Sequence, residues 1–232
     1  MRIISIGDLH GKNHWEKVIN KYDFDLLIFV GDYFDNLSGI SNKEEILNFK
    51  NLLKYKEKYP DKVIILIGNH ELHYLKGINE KYSGFQTIHK YDIQDVLEEA
   101  LSKNYLKACH LEDNFLFSHA GVTKTWLNNV GYDYEEKIDI FINDLFKYKP
   151  QNFKFTIGNN LSGYGDDICQ SPLWVRPNSL IKDCVDGYNQ VVGHTEDYQI
   201  TSINNNLFFI DSFTLSDTFI EIVDGKVNVL EL

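Results

Sequence analysis

A single pattern, repeated along the first third of the chain, most constrains its fold. Residues 2–7 (RIISIG), 26–31 (LLIFVG) and 63–68 (VIILIG) are short apolar runs that each close on glycine. Runs apolar at nearly every position suit strands covered on both faces. Segments of helical pattern separate them, at residues 13–21 and 43–58. The second has Ser41 or Asn42 as its cap and Glu44 and Glu45 in its first turn. Strand, helix, strand, helix, strand predicts an open α/β layer.

Farther along, residues 92–103 predict an amphipathic helix and 114–118 a strand. Ile138, Phe141, Ile142 and Leu145 predict a helix around 133–147. Residues 158–178, rich in Gly, Asn, Ser and Asp, predict a long loop, and loops of that length tend to carry function. Strands follow at 190–194, 199–203 and 206–211, then a hairpin, 218–223 with 226–231, turned at Asp224-Gly225. The expectation is two sheets, with the first half of the chain richer in parallel α/β units and the second half in antiparallel pairs. Neither a repeat nor a linker divides the chain, so one domain over residues 1–232 is expected.

Composition narrows the function classes. Asp and Glu outnumber Lys and Arg by 34 to 23, a net charge of -11, which disfavours a nucleic-acid partner. No apolar stretch is long enough to span a membrane, and the N-terminal run is too short and too weakly apolar for a signal peptide. Cys109, Cys169 and Cys184 show no C-x-x-C spacing, so neither a disulfide framework nor a structural zinc site is expected. These features together predict a cytoplasmic protein. Only two of the 23 basic residues are Arg, at positions 2 and 176. Arg176 stands out, because lysine cannot grip an oxyanion with two parallel bonds.

Five of the predicted strands run into a polar cluster. The clusters are Gly7-Asp8-Leu9-His10-Gly11, Gly31-Asp32-Tyr33-Phe34-Asp35, Gly68-Asn69-His70-Glu71, Ser118-His119-Ala120-Gly121 and Gly193-His194-Thr195. Open α/β sheets bind ligands at the carboxyl ends of their strands, so these donors should meet along one edge. Carboxylate, imidazole and amide oxygen without thiolate favour Mn, Fe, Co, Ni or Zn over Mg. The donors are too many for one ion. A two-metal site bridged by a carboxylate such as Asp32 is the economical reading, and it suits hydrolysis of a phosphate ester. Bound cations would also let an acidic chain hold an anionic substrate.

With these five motifs in this order, the chain resembles the calcineurin-like metallophosphoesterases, and among them the phosphoprotein-phosphatase (serine/threonine phosphatase-like) type, over residues 1–213. The resemblance implies a four-layer α/β/β/α sandwich of two mixed sheets. It implies two divalent metal ions, Mn foremost. Asp8, His10 and Asp32 would ligate the first; Asp32, Asn69, His119 and His194 would ligate the second. His70 would be the general acid and Asp35 its carboxylate partner. The family attacks phosphorus directly with metal-bound hydroxide. Pro172-Leu173-Trp174-Val175-Arg176 resembles the segment whose Arg grips substrate phosphate, and Asn69 would also touch substrate.

Two departures are visible. Asp35 is followed by Asn36, Leu37 and Ser38 where the phosphatase type has Arg-Gly, so a second phosphate-gripping Arg is missing and a Lys or Asn36 would have to replace it. Position 196 is Glu where wider relatives carry a second His, which weighs against a nuclease. The expected substrate is a phosphomonoester, with phosphoserine or phosphothreonine in protein as the nearest analogue. A nucleotide substrate, a dinucleoside polyphosphate (Ap4A-type), is the alternative within enzymes, and a non-catalytic interaction module on the same fold is the alternative outside them. Around the site, Glu71 reads as either orienting ligands or capping a helix, and His73 lies beside it. Tyr164, in Gly163-Tyr164-Gly165-Asp166, reads as a pocket-lining lid residue. His110 reads as a core or edge histidine, Trp15 and Trp126 as core, and Lys54, Lys56 and Lys58 as a solvated helix end.

Overall fold

The computed structural model describes residues 1–36, 39–159 and 164–232. In chain order its elements are β1 (Arg2–Ile6), α1 (Trp15–Lys21), β2 (Leu26–Phe29), α2 (Asn42–Lys58), β3 (Val63–Leu66), α3 (Asn69–Leu72) and α4 (Lys90–Ser102). Then follow β4 (Leu106–Lys107), β5 (Cys109–Glu112), β6 (Phe115–Ser118), α5 (Lys124–Asn129), α6 (Ile138–Tyr148), α7 (Pro177–Asp183) and β7 (Asn189–Val192). The chain ends with β8 (Thr201–Ile203), β9 (Leu207–Phe209), α8 (Phe213–Ser216), β10 (Thr218–Val223) and β11 (Lys226–Glu231).

Two mixed sheets result. One runs β11-β10-β1-β2-β3-β4 and the other β5-β6-β7-β9-β8. Strand residues alternate between faces, which sorts the apolar runs into layers. Ile3, Ile28, Ile64 and Leu66 meet Phe117, Val191 and Phe208 between the sheets. Ile4, Leu27, Phe29 and Ile65 face outward, onto Val18, Phe49, Leu52 and Leu97 of the helices. On the far side of the second sheet, Leu116 joins Trp126, Ile142 and Phe146, and Val192 and Leu207 join Leu180. Both sheets are therefore covered twice, which is why the strands read as continuous apolar runs.

Pairs within the first half of the chain are parallel and antiparallel pairs prevail in the second half, as expected, but the second sheet keeps a parallel centre. β6, β7 and β9 run parallel, and only β5 and β8 add antiparallel edges. The final hairpin does not belong to it: β10 pairs antiparallel with β1 in the first sheet. The helix expected from 133 starts at Ile138, after Lys137 in extended conformation. The expected loop over 158–178 closes into α7 at Pro177, whose fixed φ suits the first helical turn. At the start of α2 the cap is Ser41: its hydroxyl accepts from Glu44 N, and its own N–H donates to Glu44 Oε2 at 2.9 Å. Lys56 is not solvated but buried, its ammonium donating to Pro60 O at 2.5 Å and Val63 O at 2.7 Å. Trp15 and Trp126 are buried, and His110 lies on the edge strand β5.

Candidate active site

The five clusters meet at one edge, as the topology requires: β1, β2, β3, β6 and β7 all point their carboxyl ends toward a cleft of about 470 Å³. The glycines allow the approach. A side chain at Gly68 would strike the Asp32 carboxylate, and one at Gly193 would strike the Asp8 carboxylate. The backbone is forced as well. His10, Asp32, Asp35 and His194 all have φ between 42° and 69°, a region that side-chain-bearing residues seldom occupy and that concentrates at functional sites.

Asp32 is the hub. Its Oδ1 accepts from His70 N at 3.0 Å. Its Oδ2 lies 3.9 Å from His10 Nε2 on one side and 3.4 Å from His119 Nε2 on the other. Asp8, His10 and Asp32 bring ligand atoms within 4.8 Å of one another, and so do Asp32, His119 and His194. Two adjacent donor groups thus share one carboxylate, and Asn69 Oδ1 joins the second at 2.8 Å from His119 Nε2.

These groups fit cations. His10 Nδ1 donates to Phe34 O at 2.8 Å, and His119 Nδ1 donates to Val30 O at 3.0 Å, so each ring turns an Nε2 lone pair inward. The His119 lone pair faces the Asn69 amide oxygen, the Asp32 carboxylate and His194 Nδ1, at 3.1 Å from the last. Acceptors converging on acceptors require positive charge between them. Buried His194 Nε2 has no hydrogen-bond partner among the described residues. Burial, with Asp211 and Asp32 close by, pushes the Asp8 pKa well up. Burial also pushes the His194 pKa well down and the His10 pKa down, toward the neutral form in which imidazole binds metal. Asp32 goes the other way: burial opposes ionisation, but its histidine neighbours, His70 among them, pull its pKa well down.

Above this floor sits a second cluster. His70 Nδ1 is 2.9 Å from Asp35 Oδ2, so its Nε2 faces the cleft, 3.9 Å from Asp32 Oδ2. Burial alone would lower the His70 pKa, yet Asp32 and the Asp35 bond push it up to about 9. His73 Nε2 lies 2.7 Å from the same Asp35 oxygen. Asp35, His70 and His73 have metal-ligand spacing, but Tyr82 N–H donates to His73 Nδ1 at 3.2 Å. The His73 proton must then sit on Nε2 facing Asp35, so this trio is a hydrogen-bond network. Glu71 does both jobs considered for it. It accepts from Gly68 N at 2.8 Å, capping α3, and from Asp32 N at 3.0 Å and Tyr33 N at 2.7 Å, fixing the turn that holds the hub. Burial, then the charge of Asp32, pushes its pKa up to about 8.

Arg176 reaches the cleft from the opposite wall. Its Nε donates to Tyr164 O at 2.9 Å, and its Nη1 donates to His194 O at 2.9 Å and Thr195 Oγ1 at 3.1 Å. Those anchors leave Nη2 for a ligand oxygen. Tyr164 departs from expectation: its side chain is 84% exposed and does not line the cleft, and its contribution is the carbonyl that holds Arg176. Leu37, Ser38 and Gly163 lie outside the described residues. Asn36 does line the cleft, its amide donating to His10 O and its N–H to Glu45 Oε1 at 2.6 Å. Asp211 and Lys12, which no motif singles out, also line the cleft, as do Glu196 and Trp174. Asp211 had only part of the signal: it follows β9, as the others follow their strands, but without their glycine.

A two-sheet sandwich with a buried carboxylate–imidazole edge defines a metal-dependent hydrolase. The calcineurin-like phosphoesterase family matches residues 1–198, and the chain belongs to it. The family uses a dinuclear divalent-metal site and acts on phosphoesters, so the reaction is metal-dependent phosphoester hydrolysis. Among solved structures, the fold is shared with a cold-active protein-tyrosine phosphatase of a psychrophilic Shewanella species, at 19% identity over 98% of this chain and 77% of that one, TM-score 0.61. It is shared too with a protein serine/threonine phosphatase from Saccharomyces cerevisiae similar to human phosphatase PP5, at 15% identity over 100% of this chain and 80% of that one, TM-score 0.57. No curated protein sequence matched. Among the described residues no helix is long and apolar enough to cross a membrane.

Proposed function

We propose that the chain, acting as one domain, is a cytoplasmic phosphomonoesterase of the protein-phosphatase kind that works with two divalent ions, Mn foremost. Asp8, His10 and Asp32 hold one ion; Asp32, Asn69, His119 and His194 hold the other. The ions, when bound, withdraw charge from the phosphoryl oxygens and lower the pKa of a nearby water. The rest falls to the chain. Arg176 takes a phosphate oxygen through Nη2, and Asn69 lies beside it in the cleft. His70 Nε2 delivers a proton to the leaving oxygen, and Asp35 holds the opposite nitrogen.

The shared Oδ2 of Asp32, set between His10 and His119, carries this reading. The cleft walls favour a single phosphate over a dinucleoside polyphosphate. Arg176 and Lys12 are the Arg and Lys side chains among the described lining residues, and Trp174 is packed edge-on against His194 rather than offered as a plate for a base. The test is a metal-stripped sample assayed with and without Mn²⁺ on p-nitrophenyl phosphate, a phosphothreonine peptide and a dinucleoside tetraphosphate. Activity on the first two, restored by Mn²⁺ and absent in Asp8→Asn, supports the reading. Turnover of the dinucleotide alone overturns the substrate assignment.

Two further results are expected. Arg176→Lys loses the planar fork and its anchors, and kcat/KM should fall about 10- to 100-fold, the worth of one charged hydrogen bond. The acid form of His70 exists below its pKa, so kcat should hold through neutral pH and fall as pH rises. Without cations His70 is pushed up to about 9, and cations drawing on Asp32 would move the limb lower. A pH–rate profile of Asp35→Asn should show the limb moved downward.

A further inference from the structure

The Asp35 carboxylate receives more than the His70 ring. His73 Nε2–H donates to its Oδ2 at 2.7 Å, and Tyr74 Oη–H donates to its Oδ1 at 2.5 Å. Both donors are fixed in direction by the backbone beyond them. Tyr82 N–H points at His73 Nδ1 at 3.2 Å, which leaves the proton only on Nε2. Gln86 N–H points at the Tyr74 oxygen at 2.8 Å, which turns the hydroxyl hydrogen toward Asp35. His73 and Tyr74 are buried, and the His73 ring stacks on Tyr82 at 5.6 Å and 15°. A carboxylate gripped from three sides cannot rotate away from His70 without breaking these bonds.

We propose that His73 and Tyr74 are positioning residues for the proton transfer. Together they lock Asp35 as an acceptor, and Asp35 in turn holds the His70 ring with Nδ1 protonated and Nε2 aimed at the leaving oxygen. The spacing supports the assignment: His70 and His73 are three residues apart on one short helical turn, so both rings reach the same oxygen from one side. The segment 82–86 closes over the far side. A side chain at Gly84 would strike the Asp35 Cβ, so the backbone itself shields the carboxylate from water. This inference rests on the proposed role of His70.

The test uses the metal-loaded full chain and two aryl phosphates, p-nitrophenyl phosphate with a good leaving group and phenyl phosphate with a poor one. A group that acts through leaving-oxygen protonation matters more for the poor leaving group. His70→Asn should lower kcat on phenyl phosphate by about 10²- to 10⁴-fold and on p-nitrophenyl phosphate by much less. His73→Leu should lower kcat on phenyl phosphate by about 10- to 100-fold, again with a smaller loss on p-nitrophenyl phosphate and an unchanged KM. His73→Gln, which keeps an N–H donor near the Nε2 position, should recover most of the loss. Tyr74→Phe, which removes a single hydroxyl, should show the same leaving-group bias at smaller size. Adding His73→Leu to His70→Asn should cost nothing more.

Equal losses on the two esters, a loss confined to KM, or a full further loss in the His70→Asn background would overturn the proposal while leaving His70 in place. A flat leaving-group response in His70→Asn would sink the role of His70, and the positioning roles with it. If His73→Leu does not fold, His73→Gln and Tyr74→Phe carry the same comparison.

Discussion

Asp32→Asn should lose more than about 100-fold in kcat, because substitutions one shell farther out from a metal already cost 10- to 100-fold. The change is nearly isosteric and leaves the backbone of the turn intact. Leu9 N and His10 N still donate to Asp32 O, at 3.0 and 2.8 Å, and Asp32 N still donates to Glu71. The fold should survive, with an unchanged far-ultraviolet circular dichroism spectrum. What goes is the negative charge of the Oδ2 between His10 and His119. Both donor groups lose their shared member together, so metal content should fall at both sites. Loss at one site with the other full would mean that Asp32 is not the hub.

Glu71→Ala should be the most destabilising substitution in the site. Glu71 is fully buried and is the acceptor for three backbone N–H groups, on Gly68, Asp32 and Tyr33. Each buried donor left without a partner costs about 1–3 kcal/mol, so three of them give an expected loss of about 3–9 kcal/mol in urea unfolding. The effect reaches activity by a direct route, because the freed N–H groups belong to the turn that aims Asp32 and to the residue that opens α3. A loss below about 1 kcal/mol would show that the turn is held by something else.

What was legible in the sequence was local. Strand-end glycines followed by polar residues are read one motif at a time, and each of those motifs reaches the cleft edge. Asp211 also follows a strand, but without the glycine that marks the others. Pairings set by distant parts of the chain were hidden. Nothing near residues 218–223 says that β10 will lie beside β1 in the first sheet, and the crossover joining β6 to β7 in parallel spans some seventy residues of mixed helix and loop. Side-chain roles that depend on a far partner were hidden for the same reason. His73 reads as a bystander until Tyr82 N–H fixes its proton, and Tyr164 reads as a lid until its carbonyl is seen holding Arg176. Lys56 reads as solvated because charge on a helix end usually is, and two strand-entry carbonyls override that.

A dinuclear metal site that hydrolyses phosphoesters must bind two ions and need them for turnover. The most direct test is metal content by elemental analysis of the dialysed protein, titrated with Mn²⁺ and followed alongside phosphate release from p-nitrophenyl phosphate. Binding should saturate at two ions per chain, with activity rising as the sites fill. Full phosphate release from protein carrying no divalent ion, or saturation without any phosphate release on a range of phosphoesters, would contradict it.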